Sequence, residues 1–334
     1  MMKKLLNLKY SQSVMMFLAV GFMLSCDKTE AVNIDGDSTN RVFLHVGNNT
    51  VNNYNGYNFL IEHTPIGPVG EVKANFPIRS TQPTASDVKV QYQVDHSLIQ
   101  AYNQANKTDF VKLPEGILTI SANELVIPKG QTTSSEALEL AIPTAKLPEL
   151  TAPAYLIPFK ITNVTGDNNT VISSNQNTIY LVVRNNTTNL YNNTAVASMT
   201  GTLVTPRTGW SATLDVPVTS GALANLFDAR TNTNFVVSPP RVSNLTVNLG
   251  TVRNNISGIR IHTSSTANAL TSVRVLTSVD GINWTSQGIS APALTAYQYL
   301  KFYAPVNAAQ IRLEILGWRS ATQILLTEFD LYAL

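Results

Sequence analysis

The chain has 334 residues, 23 of them basic and 21 acidic, for a formal net charge of +2. Charged residues make up only 13%, against roughly 25% in ordinary soluble domains, and the polarity comes from Asn, Thr and Ser instead. That balance excludes a nucleic-acid binder, which concentrates Lys and Arg on one face, and suits neutral, hydroxyl-rich partners.

Lys3, Lys4 and Lys9 precede the apolar run VMMFLAVGFML, which ends at Leu24. A span of the bilayer needs roughly 20 apolar residues, so residues 1–25 read as a secretory leader. Small Ser25 precedes Cys26, the only cysteine of the sequence. A lone thiol forms no internal disulfide, and its position after the leader matches the recognition box of bacterial lipoprotein signals, in which the cysteine is acylated. All three leader lysines leave with the signal, and the remaining chain carries 20 basic and 21 acidic residues. Residues 26–40, mostly polar, read as a tether.

Strand patterns dominate residues 41–185. Val72, Ala74, Phe76 and Ile78 recur at every second position, as do Val88, Val90, Tyr92 and Val94, then Tyr155, Ile157, Phe159 and Ile161, then Ile179, Leu181 and Val183. One helix interrupts them in DHSLIQAYNQANKT, with Asp95 or Ser97 as its cap and Leu98, Ala101, Tyr102 and Ala105 on one face. Several short antiparallel strands between Pro and Gly turns predict a β-sandwich. Residues 186–195 are polar without hydrophobic periodicity and read as a linker. Residues 196–334 alternate again, through Leu245, Val247 and Leu249, Ile259 and Ile261, Val273 and Val275, Ile311, Leu313 and Ile315, and Phe329 and Leu331. The expectation is an all-β chain of two β-sandwich domains.

Two families are resembled. The ordered set VKVQYQVDHSLIQAYNQANKTDFVKLPEG, ELVIPKGQTTS and AYLIPFKIT resembles a Bacteroidota domain, domain of unknown function 1735, found at the N-termini of surface glycan-handling lipoproteins. It implies an immunoglobulin-like spacer or interaction module without known chemistry. The set GWSATLD, ALANLFDARTNTNFVVS, LTVNLGTVRNNISGIRI, VRVLTSVDGINWTSQG and LLTEFDLYAL resembles a discoidin domain, also called coagulation-factor type C and, among sugar binders, carbohydrate-binding module family 32. That resemblance implies a jelly-roll sandwich that holds its ligand in loops at one end. Asp27, Lys28 and Glu30 also resemble the charged surface-export signals of Bacteroidota lipoproteins.

A sugar site needs an aromatic ring for the apolar face of a pyranose and a few donors and acceptors for its hydroxyls. Trp210 and Trp284 read as structural. Trp318, in LGWRSATQ beside Arg319, is either a stacking platform or an exposed loop aromatic. His262 and Arg260 share the side of their strand opposite Ile259 and Ile261, and are either glycan contacts or a solvated strand face. Asn234 and Phe235 close the FDARTNTNF loop near the binding end that the resemblance implies. The same loop holds a structural calcium in related domains, and Asp228, Thr233 and Glu328 match that oxygen set. Arg230 stands where the resemblance expects an acid or amide, and would repel the ion or replace it through a salt bridge to Asp228.

No His-Glu-x-x-His motif, Gly-x-Ser-x-Gly elbow or Gly-rich phosphate loop is present, and no length remains for a catalytic barrel of roughly 250 residues. The expected function is therefore non-catalytic glycan capture by a lipid-anchored protein of the outer membrane, facing the cell surface. Two alternatives stay open: a protein-interaction or adhesion role with an outer-membrane transporter, another surface lipoprotein or a host protein as partner, and a glycan hydrolase with an unrecognised carboxylate pair.

Overall fold

The computed structural model describes residues 39–191 and 198–334. The leader, Cys26 and the tether up to residue 38 lie outside the described residues. What is described is all-β apart from one α-helix and three short 3₁₀ turns, and it forms two sheet-rich domains with separate cores.

Alternation builds the first domain. Val88–Val94 buries Val88, Val90 and Tyr92 and turns Lys89, Gln91 and Gln93 to solvent. It lies in a seven-stranded sheet between Ala154–Thr165 and Glu124–Ile127. Val72–Phe76 and Leu138–Ile142 pair in a second sheet and send Val72, Ala74, Phe76, Leu138 and Leu140 into the same core. Not every pairing is antiparallel. Thr178–Thr187 runs parallel to Tyr54–Thr64, and Asn40–Leu44 runs parallel to Thr170–Ile172. Period-two burial is the same for either direction, so the pattern specifies strands and leaves their sense open.

The helix spans Leu98–Asn106 and ends on Lys107 in the left-handed region, φ 54°. Of the expected face of Leu98, Ala101, Tyr102 and Ala105 it buries Tyr102, and the other buried residue is Ile99. Those two residues, one turn apart, sit with Phe110 against Leu156 and Val182 on the outer side of the larger sheet. Asp95 Oδ1 accepts the Ser97 N–H at 3.1 Å, so it shapes the approach to the helix rather than capping an inner turn.

Two long strands organise the second domain. Ser243–His262 and Tyr297–Trp318 pair in two stretches, Ser243–Asn248 with Gln310–Ile315 and Gly258–His262 with Tyr297–Lys301, with register breaks between Asn248 and Gly258. Gly250 (φ 74°) and Asn255 (φ 54°) turn the chain inside that gap. Each strand thus serves both halves of one curled sheet, and Leu245, Val247, Leu249, Ile259, Ile261, Ile311, Leu313, Ile315, Phe329 and Leu331 fill the core between them. Asp280 and Gly281 form a tight turn: Asp280 Oδ1 accepts the N–H groups of Ile282 and Asn283, each at 2.8 Å, between antiparallel strands Leu270–Ser278 and Thr285–Ser290. Trp210 is buried edge-on against Phe227 and Phe329.

The 186–195 segment differs from its expectation as a linker. Its described part joins the two domains directly: Asn186 and Thr187 end the first-domain strand Thr178–Thr187, while Thr188, Asn189 and Leu190 are buried and Leu190 joins the second core. Asn189 Nδ2 donates to Gln287 Oε1 and to the Ala304 carbonyl, both at 2.9 Å, while its Oδ1 accepts the Ala304 N–H at 2.8 Å. Across the junction Tyr303 donates its hydroxyl to Glu62 Oε2 at 3.2 Å. In residues 188–190 the polar side chains serve as hydrogen-bonding partners at strand edges.

Candidate functional site

The outward side of the second domain's curled sheet gathers a cluster. Arg260 lies between Tyr299 on one neighbouring strand and Asp330 on the other, and His262 lies between Tyr297 and Glu328. Their alternate neighbours Ile259, Ile261, Leu300, Phe329 and Leu331 enter the core, which puts all six on the opposite face.

Asp330, only 1% exposed, anchors the cluster. Its Oδ1 pairs with Arg207, and its Oδ2 accepts Arg260 Nε at 2.7 Å and Nη2 at 2.6 Å. Charge-assisted bonds of this kind fix the guanidinium plane. Arg260 Cζ stands 5.3 Å from the Tyr297 ring centroid and 5.6 Å from that of Tyr332, so two aromatic faces flank it. Burial alone would lower its pKa, and Asp330 outweighs that effect and raises it. Its Nη1 has no hydrogen-bond partner among the described residues, and a quarter of the side chain, 25%, is exposed.

His262 is largely buried. Its Nδ1 bonds to Thr327 Oγ1, and that hydroxyl donates to the His262 carbonyl at 3.1 Å. When the one proton of that hydroxyl goes to the carbonyl, Nδ1 carries the imidazole hydrogen and Nε2 keeps a lone pair. Burial, and then the Arg260 charge, push the His262 pKa down, which keeps this neutral form at pH 7. The ring lies 4.1 Å from Tyr297, centroid to centroid. Tyr297 is 42% exposed, with the His262 ring and the Arg260 guanidinium beside its own ring. Together these groups provide a ring face, a fixed donor and a neutral acceptor.

The other expected residues go elsewhere. Trp318 pairs with Leu270 at the strand end and is half-buried against the second core. Arg319 is exposed; its N–H donates to the Ala269 carbonyl at 2.9 Å and its Nη1 reaches the Thr266 carbonyl at 3.4 Å. Phe235 is fully buried, opposite Leu326, and so cannot contact a ligand. The loop turns one residue earlier than expected, and strand alternation carries the ring into the core. Asn234 holds the loop through its carbonyl, which accepts Asn225 Nδ2 at 2.7 Å. No hydrogen bond or ring contact among the described residues joins Asn234 or Trp318 to Arg260.

Asp228, Thr233 and Glu328 do meet, but around donors. Thr233 donates its hydroxyl to Asp228 Oδ2 at 2.7 Å, and the Arg230 N–H donates to Asp228 Oδ1 at 2.9 Å and to Glu328 Oε1 at 2.7 Å. The remaining Glu328 oxygen is taken by Arg207. Each carboxylate oxygen already accepts a hydrogen bond, and the Arg207 guanidinium places a positive charge on Glu328 that repels a second cation, so these residues do not fit a calcium ion. The guanidinium bonded at the site is that of Arg207, not that of the expected Arg230, which hydrogen-bonds through its backbone N–H while its charge helps to lower the Asp228 pKa. Among the described residues no group of three or more His, Cys, Asp or Glu side chains is arranged to hold a metal. Burial raises the Glu328 pKa against the pull of Arg207.

Tyr297, Tyr299, Tyr332, Asp330 and Arg207 were not among the sequence candidates. The alternation of Tyr297, Tyr299, Lys301 and Tyr303 with Leu300 and Phe302 is the signal that places an aromatic row on one strand face.

The two-domain, all-β architecture matches known families. Residues 37–168 match a family model described as an N-terminal domain, and residues 215–329 match the F5/8 type C domain. No curated protein matches the chain. Among solved structures, the chain is similar to a two-domain protein of unknown function from Bacteroides fragilis, at 17% identity over 88% of this chain and 94% of that one, with a TM-score of 0.55. The second domain is similar to the family 32 carbohydrate-binding module of C. perfringens NanJ in complex with galactose (19% identity, 38% of this chain, 96% of that one, TM-score 0.35). It is also similar to the C-terminal domain of a chitobiase from Bacteroides fragilis (20% identity, 38% and 95%, TM-score 0.34).

Proposed function

We propose that this chain is a non-catalytic glycan-binding lipoprotein, held at the outer-membrane surface by an acyl group on Cys26, with the second domain capturing carbohydrate. The observation that carries this reading is the Arg260 guanidinium, clamped by buried Asp330 and flanked by Tyr297 and Tyr332. A pyranose presents an apolar face and a rim of hydroxyls. Tyr297 meets the first, while Arg260 Nη1 and His262 Nε2 meet a hydroxyl acceptor and a hydroxyl donor on the second.

Arg207 and Arg260 balance Glu328 and Asp330, so the cluster has no net charge and favours a neutral ligand over an anionic one. The same pairing argues against hydrolysis. Glu328 and Asp330 are each bonded to a guanidinium, and neither is placed to donate or remove a substrate proton. Repetition of such anchored sites across one membrane turns weak contacts into avid capture. A glycan array probed with the purified protein and with Arg260→Ala tests the proposal. Retention of one or more neutral glycans by the parent and loss in the variant supports it. Equal retention by both, or cleavage of the retained glycan, refutes it.

A further inference from the structure

We infer that Arg207 is the built-in cation of the second domain's loop cluster, so that the Asp228–Thr233 loop is set without a divalent metal. Burial is the first argument. The Arg207 side chain is 9% exposed, and its two partners, Glu328 and Asp330, are 5% and 1% exposed. Carboxylates removed from water to this degree persist only with a compensating charge. Here one side chain meets both, Nη1 on Glu328 and Nη2 on Asp330.

The second argument is the choice of group. A guanidinium remains charged at any working pH and directs five N–H donors in a rigid fork, which two neighbouring carboxylates can share. A calcium ion would be repelled by the Arg207 charge already seated on Glu328 and Asp330, and would compete with the Arg230 N–H for lone pairs of Asp228 and Glu328. The third argument is connectivity. Glu328 receives Arg207 on one oxygen and the Arg230 backbone on the other, which links the loop to the strand Glu328–Ala333. Asp330 in turn holds Arg260. One buried arginine therefore organises both the loop and the counter-ion of the surface guanidinium, whatever ligand the surface takes.

The test is thermal unfolding of the purified protein in EDTA and in millimolar calcium chloride. The parent Tm is expected to be the same in both. Arg207→Ala leaves two buried carboxylates with one guanidinium between them, a change of the size seen when a buried ion pair is broken, so its Tm in EDTA is expected to fall by roughly 10 °C or more. The oxygens exposed in that variant then suit a hard cation, and calcium is expected to restore part of the loss. A parent that melts higher in calcium than in EDTA overturns the inference without any variant. So does an Arg207→Ala protein that melts with the parent.

Discussion

Leu190→Ala tests whether the segment between the domains belongs to the second core. Leu190 has no exposed surface, its N–H donates to Thr188 Oγ1 at 3.0 Å, and it bridges to Phe302 in that core. Cutting a fully buried leucine to alanine removes transfer energy and leaves a cavity, together about 3 kcal/mol. A domain of about 140 residues gains roughly 0.3 kcal/mol per kelvin of unfolding entropy, so the expected shift is about 10 °C. Differential scanning calorimetry reads it, and the loss is expected in the transition of the second domain. An unchanged thermogram would refute the reasoning, because an ordinary solvated linker leucine can be truncated at almost no cost.

Gly288→Ala is expected to weaken the same junction, because Gly288 holds φ 120° and a Cβ there would stand 2.2 Å from Thr188 Oγ1. Limited proteolysis should cut the variant faster between the domains than the parent, and equal resistance would contradict the seating of Thr188. For His262, NMR titration of the ring should give a pKa below 6.5, since burial and Arg260 disfavour its charged form. The unfolded chain then binds a proton that the folded chain does not, so stability from this group falls as pH drops below about 6.5. A ring titrating at or above 6.5 would show that the imidazole is not enclosed as described.

Hydrophobic alternation made most of the fold legible. Val88–Val94, Ser243–Asn248 and Gln310–Ile315 bury the residues that period two selects, because a half-buried strand admits no other pattern. Strand direction was not legible, and neither was Leu190, a single apolar residue among Asn and Thr with no period to mark it. The site was legible in part. Arg260 and His262 follow from being out of phase with Ile259 and Ile261, and the same logic applied to Tyr297 and Tyr299 finds the aromatic half. Asp330 and Arg207 were hidden, since their value depends on register across strands 70 and 121 residues or more away in sequence. Phe235 misled because a loop residue and the first residue of a buried strand look alike when the turn can shift by one position.

The central claim is that carbohydrate meets the Arg260 face rather than the loop that carries Trp318. Isothermal titration of an array-selected glycan into the parent, Tyr297→Ala and Trp318→Ala compares the two places directly. Loss of a stacking ring costs about 1 kcal/mol or more, so Tyr297→Ala is expected to weaken binding by roughly fivefold or more while Trp318→Ala leaves it within about twofold. Full affinity in Tyr297→Ala together with lost binding in Trp318→Ala would contradict the account and move the site to the loop end.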